Sequence, residues 1–291
     1  MLRAQHGAPR EITIEANPTD VTDDNLAAWR AAGITRISIG VQSLEPGALV
    51  TLGRDHRFGD GRAAVERAIA HGFATSADFI LGVPGARGGA FLLPSPHLSI
   101  YELTIEERTA FAQRVRDGRL VPLDEDTLAT QYIATHDALL AAGYEHYEIS
   151  SYAKPTARAV HNSLYWRGAP FLGLGVGAAS LAVHADGSGT RATNPRKWTQ
   201  YAADPGAPAE RTVIDPAEMA SDRAWLGMRT SDGVPLADLR PAEGVAEELV
   251  AEGLAAHRGD RICPTLRGFL MADHIAARIV QSWRDELVPT L

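Results

Sequence analysis

Residues 11–54, EITIEANPTDVTDDNLAAWRAAGITRISIGVQSLEPGALVTLGR, restrict the fold of this chain more than any other stretch. The first five residues alternate apolar and polar side chains, which predicts a β-strand. Pro18 ends this strand because proline lacks the amide donor of a strand ladder. Thr22 can cap the following helix, and Gly33 is placed to end it in a left-handed conformation. The segment 36–41 predicts a second strand, so the stretch forms one βαβ unit.

Polar side chains lie near the ends of the predicted strands. Glu15 ends the first strand, Gln42 follows the second, and Arg54 comes later in the segment LGR. Asp78 lies inside the apolar segment ADFIL, where a charge is costly unless it is paired. Parallel sheets and barrels bind ligands at the carboxyl ends of their strands, so these groups could hold a zwitterionic ligand that carries a ribose. The alternative is a structural ion-pair network at a polar barrel end.

The pattern of helix, glycine, apolar residue and strand recurs along the first two thirds of the chain, which predicts parallel βα repeats. We expect strands near 11–15, 36–41, 77–81, 98–103 and 146–149, in one curved parallel sheet. Helices are expected at about 23–32, 60–71, 105–117 and 125–142. The connection 83–96 holds three glycines and three prolines, so we expect an irregular crossover without a clear helix.

A second, smaller region follows the segment 202–209, AADPGAPA, which is typical of a linker. Helices are expected at 216–230, 241–253 and 268–284, with a short hairpin before the last one. This order predicts a small α+β module that resembles a winged helix. The expected domains are therefore 1–203 and 210–291. The charges of the module are mixed, which favours packing or partner contact over DNA binding.

Composition excludes several classes of protein. The 291 residues have a formal net charge of −8, which argues against a nucleic-acid partner. Cys263 is the single cysteine, so no disulfide and no multi-cysteine metal site can form within this chain. No apolar run approaches the 18 or so residues of a membrane span, and the first ten residues lack an apolar signal core. We expect a cytoplasmic protein without a membrane span.

The segment HNSLYW places His161 close to Tyr165 and Trp166. Imidazole can ligate iron, and aromatic rings can stack on a porphyrin. A single histidine with aromatic neighbours can equally be an ordinary packed residue. The segment GLGVG that follows (173–177) matches a dinucleotide fingerprint only weakly, and a turn or a close backbone approach is the better interpretation.

Taken in order, these segments resemble a known family. EITIEANP, RISIGVQS, LGRDH, DFILGVPG, HLSIYELTIE, GYEHYEISSYA, HNSLYW and FLGLGVGAAS are similar to motifs of the radical SAM heme chaperone HemW family. That family is a relative of oxygen-independent coproporphyrinogen III oxidase, and HNSLYW resembles the HNxxYW motif that distinguishes the chaperones. The resemblance covers about residues 10–200 and continues more loosely to the end of the chain.

The resemblance implies cofactors and partners. It implies S-adenosylmethionine contacts at Glu15, Gln42, Arg54 and Asp78. It also implies a heme-related role for His161, with Tyr165 and Trp166 beside it. The expected partners are heme and a heme acceptor protein whose identity the resemblance does not give. The alternatives are an oxidase that decarboxylates coproporphyrinogen III, and an inactive fragment.

The chain departs from the family pattern at its beginning. The CxxxCxxC loop that binds the 4Fe–4S cluster and the GGGTP strand end are both absent. We therefore expect a partial (βα) barrel that lacks its first βα units, either as a truncated product or through a mis-assigned start. The cluster expected for the family has no ligands in this chain. Without three thiolates, reductive cleavage of S-adenosylmethionine is not expected.

Overall fold

A computed structural model describes residues 8–54, 57, 59–87 and 91–287, and of residues 286 and 287 only the backbone. The chain divides into two compact units, Met1–His161 and Asn162–Leu291.

The first unit consists of a six-stranded sheet and its helices. Its elements are β1 (Thr13–Ala16), α1 (Asp23–Ala32), β2 (Arg36–Gln42), α2 (Pro46–Leu52), α3 (Asp60–Ala70), β3 (Ala74–Leu81), β4 (His97–Glu102), α4 (Ala110–Arg116), α5 (Glu125–Ala141), β5 (Glu145–Glu148), β6 (Ser151–Ala153) and α6 (Val160–Trp166), the last of which crosses into the second unit. The strand order is β1-β2-β3-β4-β6-β5, and β1 to β4 pair in parallel. This is the partial βα barrel that the sequence predicts.

Local signals account for the first βαβ unit. The Thr22 Oγ1 accepts a hydrogen bond of 3.2 Å from the backbone N–H of Asn25, so α1 begins at its predicted cap. Gly33 has φ 86°, the left-handed conformation that ends the helix. The apolar side chains of β2, Ile37, Ile39 and Val41, are fully buried and contribute to the main core.

The connection between β3 and β4 is a loop that packs buried side chains against the sheet, where a parallel crossover usually has a helix. Its described residues, 82–87 and 91–96, contain no helix, as the sequence predicts. Phe91 and Leu93 are each only 5% exposed, and the Phe91 ring packs edge-on against Phe79 with 5.1 Å between centroids. A loop therefore covers this part of the sheet, because two large apolar side chains supply the burial that a crossover helix normally gives.

Two details of the predicted first unit are wrong. The strand expected at 146–149 does not pair in parallel, because β5 and β6 form a hairpin and β6 lies antiparallel to both β4 and β5. The three residues of β6 are all buried, so they lack the alternation that reveals a strand. The helix expected at 105–117 covers only Ala110–Arg116, because the Thr109 Oγ1 caps it by accepting from the N–H of Ala112.

The second unit contains two small antiparallel sheets. Its elements are β7 (Ala179–Val183), β8 (Gly189–Thr193), α7 (Trp198–Ala203), β9 (Glu210–Ile214), α8 (Pro216–Gly227), β10 (Val234–Pro235), α9 (Glu243–Ala251), β11 (Ala255–Arg258), β12 (Arg261–Pro264), α10 (Leu266–Leu270) and α11 (Ala272–Leu287). The sheet orders are β7-β8-β9 and β10-β12-β11. The elements from α8 to α11 form the predicted winged-helix-like module around its own apolar core.

The predicted division at 203–210 crosses a sheet. β9 lies after the predicted linker, yet it pairs along its whole length with β8, which lies before the linker. The segment 204–209 is thus a connection between α7 and β9 inside one unit. A proline- and glycine-rich loop has the same composition as a linker, so composition alone could not separate the two.

Within the described part of the chain, no helix is long and apolar enough to cross a membrane.

Candidate functional site

A polar cleft of about 430 Å³ lies at the carboxyl ends of β1 to β4. Three of the four residues predicted for cofactor binding line it: Glu15, Gln42 and Asp78. The other lining residues are Ile80, Tyr101, Glu102, Leu103 and Thr104. The cleft combines hydrogen-bond acceptors from carboxylates with one amide.

The backbone of β2 is distorted where it reaches the cleft. The pairing of β2 with β3 shifts register between Ile39 and Gln42, and Gln42 has φ 65°, in the left-handed region. Such an irregularity re-aims a side chain. A Cβ atom added to Gly40 would lie 2.6 Å from the Gln42 Nε2, so the amide occupies the space that the missing side chain leaves.

Asp78 is a lining residue of the cleft whose carboxylate is only partly hydrogen-bonded by the described residues. Its Oδ2 accepts a hydrogen bond of 2.8 Å from the Ser38 Oγ. Its Oδ1 is buried and has no hydrogen-bond partner among the described residues. Burial is the largest effect on the pKa of Asp78 and raises it, and the charge of Glu15 acts in the same direction. Hydrogen bonds from Ser38 and Ser99 lower this pKa, but the net shift is upward. A ligand that donates to Oδ1 would satisfy this acceptor, so the site fits a hydroxyl- or ammonium-bearing cofactor.

Arg54 lies apart from this set. It follows α2 through Gly53, which has φ 65°, and it is exposed. None of the eight described lining residues of the cleft is basic. The described cleft therefore offers acceptors for ribose hydroxyls or an amino group, but no guanidinium for a carboxylate.

The HNSLYW segment forms most of α6. His161 and Tyr165 are one helical turn apart on this helix and are both exposed, whereas Trp166 is partly buried. The Tyr165 ring packs edge-on against Phe171, with 4.7 Å between centroids. The exposure of His161 does not suit an ordinary packed core residue.

Buried charges hold the beginning of α6 in place. The Glu11 carboxylate accepts hydrogen bonds from the backbone N–H groups of Val160 (3.1 Å) and His161 (2.9 Å). It also forms an ion pair of 2.8 Å with Arg36, and both of these side chains are less than 10% exposed. Burial acts to raise the pKa of Glu11, but the two N–H groups and the Arg36 charge outweigh it, and the net shift is downward.

Four polar residues near these sites are not predicted from the sequence: Ser38, Ser99, Glu11 and Arg36. Ser38 and Arg36 are polar side chains in a strand that is otherwise buried, and this is the signal that could have revealed them. Glu11 lies before β1 and offers no such signal, because Arg36 and His161, which it holds together, are 25 and 150 positions away.

The residues present do not fit a 4Fe–4S cluster. Cys263, the single cysteine, lies in β12, and burial raises the pKa of its thiol. Among the described residues, no group of three or more His, Cys, Asp or Glu side chains could hold a metal ion. The described residues therefore provide no ligand set for such a cluster.

Comparison with known proteins gives the following similarities. Residues 1–87 match the model of the radical SAM superfamily. The chain is 36% identical over 286 residues to the heme chaperone HemW of Mycobacterium tuberculosis, which covers 93% of this chain and 72% of that protein. It is 39% identical over 198 residues to the heme chaperone HemW of Escherichia coli, covering 65% of this chain and 51% of that protein.

A solved structure of coproporphyrinogen III oxidase (HemN) from Escherichia coli, described as a radical SAM enzyme, aligns with a TM-score of 0.73 at 20% identity. The alignment covers 92% of this chain and 69% of that one. At this identity the likeness concerns the fold alone.

Proposed function

Because this chain belongs to the heme chaperone HemW family of the radical SAM superfamily, we propose that it is a heme-binding chaperone. In this proposal the protein is cytoplasmic and delivers heme to an acceptor protein. Membership of the superfamily implies S-adenosylmethionine and a 4Fe–4S cluster as cofactors. In the proposal, His161 is the axial ligand of the heme iron, and Tyr165 and Trp166 contribute aromatic surface beside it.

The exposure of His161 is the observation that carries this proposal. An imidazole at the first turn of α6 is accessible to an incoming metal, and the Glu11 carboxylate fixes the backbone that carries it. Histidine is a common axial ligand of heme iron. HNSLYW resembles the chaperone motif, so this segment favours a heme chaperone over the alternative of a coproporphyrinogen III oxidase.

The polar cleft is the proposed site of S-adenosylmethionine. Asp78 and Glu15 would accept hydrogen bonds from the ribose hydroxyls or the amino group, and the Gln42 amide would hold a neighbouring polar atom. Arg54 would pair with the methionine carboxylate, which requires it to reach the cleft from its exposed position after α2. In this chain, the residues named here bind and orient the cofactor.

Titration with hemin tests the heme proposal. We expect the Soret band of the protein to shift on binding, and His161→Ala to weaken binding and alter the band position. His274→Ala is the matched control, because His274 is likewise an exposed histidine on a helix, α11. His136 is unsuitable as a control, because it is partly buried with its Nδ1 3.2 Å from the Nδ1 of His146. Identical spectra and affinities for the wild type and His161→Ala would refute the ligand assignment.

A further inference from the structure

The second unit contains a large apolar cleft that none of the predicted site residues lines. It has a volume of about 670 Å³ and lies between the loop 170–174, one face of the sheet β7-β8-β9, and the loop before β9. Volumes of this order are typical of pockets that hold small molecules or cofactors.

The strand register shows which face of the sheet forms the cleft. Ser180 lies opposite Ala192, which lies opposite Arg211, and these three residues line the cleft. Leu181 and Ile214 alternate with these residues and pack with Met219 of α8 in a small core on the other face, although Leu181 and Val183 also border the cleft. One face of this sheet is therefore closed by a helix, and the other is open.

Large apolar side chains border the open face. Leu172 and Leu174 line the cleft and are 77% and 73% exposed, and Val213 on the same face is 74% exposed. Single exposed apolar residues are ordinary, but a contiguous group of them marks a binding surface. Leu172 and Leu174 lie on the concave part of this surface, which suits a ligand that enters the cleft.

Hydrogen bonds within the unit already engage the polar atoms of the cleft wall. The Ser180 Oγ accepts from the backbone N–H of Gly173 at 2.9 Å, and the Asn194 Nδ2 donates to the carbonyl oxygens of Gly173 and Gly175. The wall is thus held in shape by its own bonds and presents mainly carbon to a ligand. The occupant should be apolar over most of its surface.

One cation stands at the cleft. Arg211 has no carboxylate within ion-pair distance among the described residues, whereas Arg191 on the opposite face pairs with Asp222. A guanidinium favours a carboxylate as its partner. A planar apolar ring that carries carboxylates satisfies both the carbon surface and Arg211.

We propose that this cleft binds a tetrapyrrole ring, with a propionate facing Arg211. The inference rests on the proposed function for the choice of ligand and concerns a ring-binding surface within the second unit alone. Tyr165 is a positioning residue in this arrangement, because its ring supports Phe171. Phe171 in turn lines the cleft and exchanges two backbone hydrogen bonds of 2.9 Å with Leu181.

Iron-free protoporphyrin IX is the probe, because it has the ring and the propionates but no metal for a histidine to ligate. Fluorescence titration of the full chain measures its dissociation constant. We expect the double variant Leu172→Asp, Leu174→Asp to weaken binding by at least about tenfold. Arg211→Glu should weaken binding as well, and Arg211→Lys should restore part of it. Val121→Asp is the control, because Val121 is 75% exposed, also in a loop, and lies in the first unit.

The outcomes separate this inference from the proposed function. If the wild type binds hemin and the double aspartate variant binds protoporphyrin as the wild type does, the cleft assignment is overturned and the heme proposal stands. If the wild type binds neither hemin nor protoporphyrin, both fail. If the aspartates change self-association in sedimentation but leave porphyrin binding intact, the face is a contact between copies of the chain, and the inference fails. Loss of porphyrin binding in the double variant, with the porphyrin binding of His161→Ala unaffected, supports the cleft.

Discussion

The carboxylate of Glu11 accepts a hydrogen bond of 2.9 Å from the backbone N–H of His161, a residue 150 positions later in the chain. The same carboxylate pairs with Arg36, which donates to the Ser76 Oγ at 3.0 Å and to the carbonyl oxygen of Ala157 at 3.0 Å. One buried ion pair therefore joins the beginning of the sheet to the beginning of α6.

Glu11→Gln should lower the free energy of unfolding by about 3 kcal/mol, because removing one charge leaves Arg36 buried without its partner. Chemical denaturation measures the change. Glu107→Gln, at an exposed position, should change the free energy by less than about 0.5 kcal/mol. A loss at Glu11 no larger than that of the control would show that the pair is energetically neutral.

Acid should destabilise the protein over two ranges of pH. Burial, reinforced by the Arg36 charge, lowers the pKa of His97 from 6.5 to about 3. Because the folded-state pKa is depressed, the unfolded chain takes up the proton first, and stability is lost as the pH falls from 6.5 towards 3. The lowered pKa of Glu11 adds a further loss below its ordinary value of 4.5.

Each buried histidine with a lowered pKa makes the free energy of unfolding vary with pH by up to about 1.4 kcal/mol per pH unit. Burial also lowers the pKa of His146 to about 3, so two residues share the first range. Denaturation at pH 7.5, 6 and 5 measures the slope. His97→Gln should flatten it, whereas His274→Gln, at an exposed position, should leave it unchanged. A stability that does not vary between pH 7.5 and 5 would contradict the burial argument.

Gly40→Ala should impair ligand binding more than stability. The added Cβ would displace the flexible Gln42 amide, 2.6 Å away, rather than collide with backbone. We expect about a tenfold loss in affinity for S-adenosylmethionine by calorimetry, with an unfolding free energy within about 1 kcal/mol of the wild type. Gly47→Ala is the control, because a Cβ at Gly47 meets nothing within 4 Å. Equal affinities for the two variants would remove Gln42 from the site.

Anaerobic reconstitution with iron and sulfide should give no stoichiometric 4Fe–4S absorbance with this chain. The three thiolates that such a cluster requires are not among its residues, because Cys263 is its single cysteine. One cluster per chain that survives desalting would require ligands other than cysteine.

Local chemistry made the first βαβ unit predictable. Thr22 and Gly33 fix the ends of α1 by their own side-chain and backbone preferences, so no distant residue is needed to place it. Asp78 was recognisable for a related reason, since a carboxylate within an apolar strand implies a partner or a ligand. Both inferences depend on neighbours in sequence.

The remaining features depend on partners that are distant in sequence. The β5–β6 hairpin inserts β6 beside β4, and three buried residues carry too little pattern to reveal it. The order of motifs in the chain predicts Arg54 beside Glu15, but the turn at Gly53 leaves Arg54 exposed after α2. The apolar cleft arises from pairing β7, β8 and β9, which no local motif specifies.

The left-handed backbone at Gln42 has a consequence for how this position can vary. A non-glycine residue with φ 65° carries strain on the order of 1 kcal/mol, which glycine would relieve. Glycine would also delete the amide that faces the cleft. In the proposed S-adenosylmethionine site, the glutamine amide therefore comes with a conformational cost, because the residue that relieves the strain lacks the hydrogen-bonding group.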